Sequence, residues 1–243
     1  PASRLYQSAQ QQVYRLQELN QLKDEFVHMV SHELRTPLTN MKMALTMMEA
    51  RPEPERQQRY LHLLKLEWQR ELSLVNELLE LLAMESGKRQ LELEPLQLLE
   101  WIPRLTDSLQ MRFLERQLQF IWRASPDLPL FTTDVRLLER ILVELLNNAC
   151  KYTPPLHQVH LEIYPHGQGI RVQVTNTGVE IPVEQLPKIF EKFHRITALD
   201  RYQQGGTGLG LALVKKAVEF LQGQIQATSR EGCTCFQVDL PLL

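Results

Sequence analysis

Two prolines within four residues divide the N-terminal part of the chain into two long helical segments. A helix interior cannot accommodate the run Arg51-Pro52-Glu53-Pro54, because proline lacks a backbone donor and its ring collides with the preceding turn. On both sides of this break, apolar residues recur at steps of three and four, which is the helical period. The pattern predicts a first helix that ends near Ala50 and a second helix from about Glu55 to Met84. The apolar positions of the two helices are Phe26, Val30, Leu34, Leu38, Leu61, Leu64, Trp68, Leu72, Val75, Leu79 and Leu82.

These two helices are predicted to form a hairpin that dimerises. Thirty helical residues span about 45 Å, and a lone hairpin of that length leaves its apolar stripe uncovered. Two hairpins that associate as a four-helix bundle bury the stripe, so we expect a homodimer through residues 25–86. The alternative is a monomeric hairpin that packs on the rest of the chain. The Gln-rich residues 1–24 predict a helical connector ahead of the hairpin.

After a linker at residues 87–95, helices and strands mix, which predicts an α+β domain over residues 96–243. Two runs alternate apolar and polar residues, as half-buried strands do, with Gly167 and Gly169 at the turn between them. Asp134 is a candidate N-cap for a helix that runs to about Lys151. We therefore expect a multi-domain chain, an all-α dimeric bundle followed by an α/β sandwich with helices on one face of a sheet. The remaining predicted elements are helices at 96–115 and 209–221, and strands at 118–122, 159–163, 170–174, 224–228 and 235–240.

Charge and composition argue against several classes of protein. A net charge of -2 provides no basic field for nucleic acid. No apolar run reaches the ~20 residues of a membrane helix. The three cysteines, Cys150, Cys233 and Cys235, cannot all pair and lack a second pair of metal ligands, so we interpret them as reduced thiols of a cytoplasmic protein. Because the chain opens on Pro1 rather than Met, we expect it to be a fragment, with any sensor or membrane segment upstream of it.

The first helix carries the stretch Ser31-His32-Glu33-Leu34-Arg35-Thr36-Pro37-Leu38, in which polar residues stand where a core would need apolar ones. His32 and Thr36 lie one turn apart on the same face, with Glu33 beside them. Imidazole is largely neutral near pH 7 and is nucleophilic, and an adjacent carboxylate can take its ring proton as a general base. Pro37 should bend the helix just after this stretch. A solvated helix face with an ordinary surface histidine is the alternative interpretation of such a pair taken alone.

Another group of polar residues lies on the helix that follows Asp134. By their spacing, Glu144, Asn148 and Lys151 share one face of that helix. A carboxylate, an amide oxygen and an ammonium group together suit Mg²⁺ and phosphate. A polar helix flank without a ligand is the common alternative.

Three loop motifs follow along the chain. Residues 176–182 (Asn-Thr-Gly-Val-Glu-Ile-Pro) form a turn after a strand, where a purine could approach the backbone. Residues 190–195 (Phe-Glu-Lys-Phe-His-Arg) place two aromatic rings around charged groups. Residues 205–210 (Gly-Gly-Thr-Gly-Leu-Gly) open a helix, where glycines let the backbone close on phosphates and the helix N-terminus favours anions. The polar residues 196–204 between the last two motifs predict a mobile lid.

The order of these five motifs resembles the H, N, G1, F and G2 boxes of the sensor histidine kinases of two-component systems. The resemblance covers residues 24–243, and its second half is that of the Bergerat-fold catalytic and ATP-binding domain. It implies a kinase that phosphorylates its own His32 from Mg-ATP and then passes the phosphoryl group to an aspartate of a response-regulator receiver domain. Glu33 would be the general base, and Thr36 would orient the water that removes the phosphoryl group from the regulator.

The resemblance also implies the residues of the ATP site. These are Asn148 as the Mg²⁺ ligand with Glu144 beside it, Lys151 and Arg195 as phosphate contacts, Tyr152 stacked on the adenine, Asn176 and Gly178 at the purine, and Gly206, Gly208 and Gly210 around the phosphates.

Three residues depart from the family pattern. Asn176 replaces an aspartate, so the bond to the adenine amino group loses its charge assistance. Glu180 replaces a glycine and should crowd the same turn. Glu144 stands where the family usually has asparagine, and the gyrase-like ATPase branch of the superfamily has a water-activating glutamate there. Two alternative functions remain: a degenerate kinase that serves as a nucleotide-sensing dimeric scaffold or regulator phosphatase, and a gyrase-like ATPase.

Overall fold

The structure of the chain, a computed structural model, describes residues 2–50, 53–87, 89–196 and 206–242. The chain divides into two compact units, residues 1–75 and residues 76–243. The predicted lid falls outside the described residues apart from Ile196, and Gly205 lies outside them as well.

Two long helices form the predicted hairpin. Helix α1 spans Ala2–Glu49 and helix α2 spans Pro54–Glu85. The end of α1 and both ends of α2 are each about one residue from the predicted positions. The N-terminal connector is part of α1, as its pattern predicts. Helix α2 begins on proline, whose fixed φ and missing N–H suit the first helical position. Since the two units divide after Val75, the last turns of α2 pack with the C-terminal unit.

Two polar contacts show the relative direction of the helices in the hairpin. Asn40 donates a hydrogen bond to Glu67 at 2.7 Å, and Arg70 lies 3.7 Å from Glu33. Because the residue numbers rise on one helix as they fall on the other, the helices run antiparallel.

An apolar row on α2 remains exposed on the described chain. Its members are separated by seven, four, three, four and three residues, which is the spacing of one seam of a helical bundle. The row consists of Leu61, Trp68, Leu72, Val75, Leu79 and Leu82, each between 36% and 59% exposed.

Among its described residues, the C-terminal unit contains seven strands and three further helices. The strands are β1 (Leu93–Leu96), β2 (Gln119–Ala124), β3 (Phe131–Asp134), β4 (Gln158–His166), β5 (Gly169–Thr177), β6 (Gln224–Arg230) and β7 (Cys233–Pro241). Five of them form one mixed sheet in the order β2-β4-β5-β7-β6. Strand β2 pairs parallel with β4, and the other neighbours are antiparallel. The predicted strands of the sheet are confirmed, with their ends displaced by a few residues.

Strands β1 and β3 form a separate antiparallel pair that the sequence pattern does not predict. Strand β1 lies in the expected linker, is mostly exposed and contains Pro95, so it shows no alternation of apolar and polar residues. Because β1 ends at Leu96, the next helix begins at Leu98 rather than at the predicted residue 96.

The helices α3 (Leu98–Glu115), α4 (Val135–Tyr152) and α5 (Gly210–Phe220) cover one face of the large sheet, as expected. The Asp134 carboxylate caps α4 by accepting a hydrogen bond from the backbone of Leu137 at 3.1 Å, which confirms the predicted N-cap. Alternate residues of β4 and β5 point into the core below these helices. Among the helices of the described residues, none is long and apolar enough to cross a membrane.

Candidate functional site

The imidazole of His32 stands on the exposed side of the hairpin with 69% of its side chain accessible. Its Nδ1 lies 3.6 Å from a carboxylate oxygen of Glu33, and the other oxygen of Glu33 lies 3.7 Å from Arg70 of α2. Glu33 is 23% exposed, so neighbouring residues restrict its orientation. With Nδ1 turned toward a carboxylate, Nε2 is the ring nitrogen left for reaction with an external electrophile.

Thr36 lies one turn after His32, as its spacing predicts. Its side chain is exposed, and its Oγ1 donates a hydrogen bond to the backbone oxygen of His32 at 3.3 Å. Since that bond uses the hydroxyl proton, the oxygen lone pairs remain available as acceptors for water. Pro37, which is buried, does not interrupt α1.

A cleft in the C-terminal unit brings together four of the predicted nucleotide residues. About 600 Å³ of free space, part of it open to solvent, lies beside α4 and the ends of β5 and β7. Asn148, Tyr152, Asn176 and Arg195 line it. The other lining residues are mostly apolar. Val179, Ile181 and His194 belong to the predicted loop motifs and Ile196 to the predicted lid, whereas the sequence pattern did not identify Ile189, Leu211, Thr234 and Phe236. A mostly apolar cleft with a few polar groups is typical of a small-molecule site.

Asn176 supplies a buried polar group at this cleft. Its side chain is 3% exposed and follows Ile170, Val172 and Val174 on the inner face of β5. Among the described residues, none forms a hydrogen bond with its amide. The fully buried side-chain atoms that lack a partner in the described residues do not include the Asn176 amide, so the amide is reachable from the cleft and fits a ligand that supplies a donor.

The glycine of the loop after β5 is required by close packing. Gly178 has φ +82°, and a Cβ there would lie 2.2 Å from the ring of His157. Its N–H donates to the backbone oxygen of Gly232 at 2.7 Å, which ties the loop to the β6–β7 turn.

Glu180, in the same loop, is not among the described residues that line the cleft. The residue is exposed, and its carboxylate accepts a hydrogen bond from the N–H of Gly232 in the β6–β7 turn. This contact gives the carboxylate a backbone donor, and the effect of Glu180 on the purine turn stays a prediction.

Three other glycines precede or begin α5, and each leaves room for a different neighbour. A Cβ on Gly206 would lie 2.9 Å from the ammonium of Lys151, and one on Gly210 would lie 2.6 Å from a carboxylate oxygen of Glu144. Gly208 has φ +71°, and its Cβ would lie 2.7 Å from the backbone of Phe193. The glycine loop is thus fitted against both α4 and the aromatic motif.

Lys151 and Tyr152 contact each other at the end of α4. The ammonium of Lys151 donates to the Tyr152 hydroxyl at 3.0 Å and lies 4.7 Å from the ring centre. The cleft is not lined by the remaining predicted nucleotide residues in the described part of the chain. These are Glu144, Lys151, Gly178, Gly206, Gly208 and Gly210.

Glu144 is a largely enclosed carboxylate next to the glycine loop. It is 16% exposed and lies 3.2 Å from Arg140. Burial raises its pKa above the ordinary value, the nearby negative charges of Glu77 and Glu80 add to that rise, and Arg140 opposes it.

The side chains of this site can hold Mg²⁺ only together with phosphate oxygens of a ligand. The described residues contain no group of three or more histidine, cysteine or acidic side chains that could hold a metal alone. Magnesium usually keeps several waters and takes one or two protein oxygens beside substrate phosphates. The Asn148 amide and the Glu144 carboxylate, four residues apart on α4, meet that lower requirement.

Two protein-family models match successive parts of the chain. Residues 22–87 match the His Kinase A (phospho-acceptor) domain, and residues 133–243 match the histidine kinase-, DNA gyrase B-, and HSP90-like ATPase.

Curated relatives match most of the chain. The circadian input-output histidine kinase CikA of Synechococcus elongatus is 37% identical over 221 residues, which is 89% of this chain and 29% of that protein. The adaptive-response sensory kinase SasA of Thermosynechococcus vestitus is 33% identical, over 94% of this chain and 62% of its own length. The sensor histidine kinase WalK of Bacillus subtilis is 33% identical, over 89% of this chain and 36% of its own length. The chain thus spans less than two thirds of these relatives.

Solved structures of similar fold include two histidine kinases. The full-length structure of ShkA in complex with AMPPNP is 26% identical, with a TM-score of 0.67 over 89% of this chain and 45% of that chain. The Acinetobacter baumannii histidine kinase AdeS has a TM-score of 0.70 over 87% of this chain and 98% of its own, and at 21% identity it supports the fold alone. In this chain the helical hairpin matches the phosphoacceptor domain and the mixed sheet after it matches the ATPase. The chain belongs to the sensor histidine kinases of two-component systems and represents their catalytic portion.

Proposed function

We propose that this chain is an ATP-dependent protein histidine kinase that phosphorylates its own His32. The observation that carries the proposal is the exposed imidazole of His32 with its Nδ1 3.6 Å from the Glu33 carboxylate. The nucleotide-type cleft of the C-terminal unit supplies the second requirement, a place for the phosphoryl donor.

The proposed reaction is an in-line transfer. Nε2 of His32 attacks the γ-phosphorus of ATP, an N–P bond forms, the bond to the β,γ-bridging oxygen breaks, and ADP leaves. Glu33 accepts the Nδ1 proton, so the ring does not carry a full positive charge while the bond forms. Positioning and charge stabilisation provide most of the rate in phosphoryl transfer.

In the proposed nucleotide complex, the adenine amino group donates to the buried amide of Asn176, close to the backbone at Gly178, and Tyr152 stacks on the base. Asn148 holds Mg²⁺, with Glu144 beside it. The cationic side chains of Lys151 and Arg195 contact the phosphates. The glycines Gly206, Gly208 and Gly210 let the backbone approach them.

The proposed phosphoryl acceptor is an aspartate on the receiver domain of a response regulator. One structure of similar fold is titled as the histidine kinase ThkA in complex with the response regulator protein TrrA; it has a TM-score of 0.75 over 93% of this chain and 64% of that chain, at 23% identity. In a separate reaction, Thr36 would hold the water that hydrolyses the phosphoryl group on the regulator's aspartate and releases inorganic phosphate. We further propose homodimerisation through residues 25–86, a linker at 87–95, a catalytic domain at 96–243, a cytoplasmic location and an upstream sensor.

A weaker kinase that acts mainly as a nucleotide-sensing scaffold or regulator phosphatase is the second candidate. Asn176 favours it, because a neutral acceptor binds the adenine amino group less strongly than a carboxylate does. One observation, the identity of Glu144, favours a gyrase-like ATPase. The match of residues 22–87 to a phosphoacceptor domain argues against it.

Incubation with γ-labelled ATP tests these candidates together. We expect label on the protein that is acid-labile and base-stable, as a phosphohistidine is, and its complete loss in His32→Gln. His28→Gln, an exposed histidine one turn earlier, is the matched control and should keep the label. Label at the wild-type level in His32→Gln would move the acceptor elsewhere, and free phosphate without labelled protein would favour the ATPase.

A further inference from the structure

The last turns of α2 present three glutamates to the nucleotide motifs. Glu77, Glu80 and Glu85, which we call the acidic ridge, lie on one side of the helix by their spacing. Leu81 and Met84 on the same side are buried at 1% and 2% exposure. This part of α2 is therefore packed into the C-terminal unit.

Each member of the acidic ridge contacts a different part of the nucleotide machinery. Glu85 lies 2.7 Å from Lys192 in the aromatic motif. Glu80 lies 3.4 Å from Arg140, which is also 3.2 Å from Glu144.

The contact of Glu77 is with the glycine loop itself. Its carboxylate accepts a hydrogen bond from Oγ1 of Thr207, and Glu77 is only 8% exposed. Thr207 Oγ1 in turn accepts a hydrogen bond from the N–H of Leu209 at 3.2 Å, immediately before α5 begins. A carboxylate is thus held, through one hydroxyl, at the start of a helix, where an anion is stabilised.

Phosphates bound by the same loop would meet this negative charge. Glu77 is bonded to Thr207 of this loop, and a Cβ on Gly210 would meet the Glu144 carboxylate. Glu80 and Glu144 are both paired with Arg140. A phosphate bound against Thr207 would lie next to the Glu77 carboxylate, and like charges in a partly buried site repel each other. Glu77 and a polyphosphate therefore compete for the same end of α5.

We propose that Glu77 acts as a built-in stand-in for phosphate, an autoinhibitory contact that latches the end of α2 to the glycine loop until nucleotide phosphates displace it. The inference rests on the proposed nucleotide site. It adds that the phosphates of the nucleotide, and not its base, release the end of α2 from the glycine loop. By thermodynamic reciprocity, whatever loosens the latch must also tighten the binding of phosphates.

Calorimetric titration of ATP and of adenosine, both with Mg²⁺, tests the competition. Glu77→Gln keeps an acceptor for Thr207 and removes the charge, so we expect ATP to bind about tenfold more tightly, or about 1.4 kcal/mol. Adenosine carries no phosphate and should bind both proteins equally. Glu55→Gln, the same change at the exposed start of α2, is the matched control and should alter neither affinity.

Hydrogen exchange on the wild-type protein tests the displacement without any substitution. Saturation with AMPPNP should speed exchange in peptides covering residues 76–85, and saturation with adenosine should not. In Glu77→Gln the bond to Thr207 is neutral and therefore weaker, so the same peptides should exchange faster than in the wild-type protein before any nucleotide is added.

The outcomes separate the latch from the nucleotide site. Equal ATP affinity in wild type and Glu77→Gln, equal tightening of adenosine and ATP, or unchanged or slower exchange with AMPPNP would contradict the latch while leaving the nucleotide site intact. Binding of ATP to Glu77→Gln alone would support a latch tight enough to close the site. Failure of both proteins to bind ATP or adenosine would contradict the proposed nucleotide site and the latch with it.

Discussion

The buried amide of Asn176 makes a prediction about adenine affinity. Asn176→Asp places a carboxylate at a position that is 3% exposed. A hydrogen bond to a charged acceptor contributes roughly 1.5–3 kcal/mol, against about 1 for a neutral one. We therefore expect ATP to bind about tenfold more tightly and labelling at low ATP to speed up, as calorimetry and labelling assays would measure.

The same substitution should lower stability when nucleotide is absent. A carboxylate without a partner at this position costs more than the neutral amide that it replaces, because desolvating a charge costs more than desolvating a neutral polar group. Urea unfolding would measure the loss. The control for the predicted gain in affinity is inosine triphosphate, whose base lacks the amino group. Asn176→Asp should increase its affinity less than that of ATP. Equal gains for the two nucleotides would show that residue 176 does not contact the adenine edge, and weaker ATP binding would show a pocket adapted to an amide.

The hydroxyl of Thr36 is predicted to matter for dephosphorylation of the regulator and not for phosphorylation of His32. Thr36→Ala should leave labelling of His32 within about twofold and slow dephosphorylation of a cognate regulator by roughly tenfold or more, in the range of a lost acid–base or positioning contact. Thr39→Ala is a matched control, since Thr39 is also exposed and makes the same kind of hydrogen bond, to the backbone oxygen of Arg35 at 2.8 Å. A loss of both activities in Thr36→Ala would make the residue structural.

At the scale of elements, the glycine loop is held by contacts that a side chain would break. Gly208→Ala introduces a Cβ 2.7 Å from the Phe193 backbone at φ +71°, whereas Gly167→Ala has φ +59° and open space around it. Both should lose about 1 kcal/mol of unfolding free energy to the left-handed conformation. Only Gly208→Ala should lose more than that and weaken ATP binding at least tenfold; equal behaviour would mean that the loop tolerates a displaced aromatic motif.

The sequence predicted those elements whose pattern is local. The two long helices, the N-cap at Asp134 and the main strands follow from apolar periodicity and end signals, so they were found within a few residues. Strand β1 could not be found because it has no alternation, and its partner β3 is distant in the chain. Four cleft residues were identified by motif, whereas apolar lining residues such as Leu211 and Phe236 resemble any core residue until the fold brings them together. The turn of Glu180 toward Gly232 depends on a strand pairing that no local pattern contains.

At the scale of the whole molecule, the exposed apolar row on α2 predicts a dimer in solution. Leu72→Glu places a charge in that row, where Leu72 is 46% exposed on the single chain. If two rows meet in a four-helix bundle, each partner buries an unpaired carboxylate, and the dissociation constant should rise about 100-fold or more. Sedimentation equilibrium measures it. Leu114→Glu, on α3 and 60% exposed, is the control and should leave the dimer intact; the same association state in both variants would contradict the bundle.

Helix α2 runs without interruption from one compact unit into the other, and this limits how kinases of this architecture can be recombined. A chimera joined at residues 86–90 would unite the end of α2 from one protein with an ATP domain from another. Glu77, Glu80 and Glu85 would then face foreign residues in place of Thr207, Arg140 and Lys192. A graft cut near Val75, at a whole number of helical turns, would carry the acidic ridge together with its partners, and is the exchange we expect to preserve nucleotide binding and kinase control.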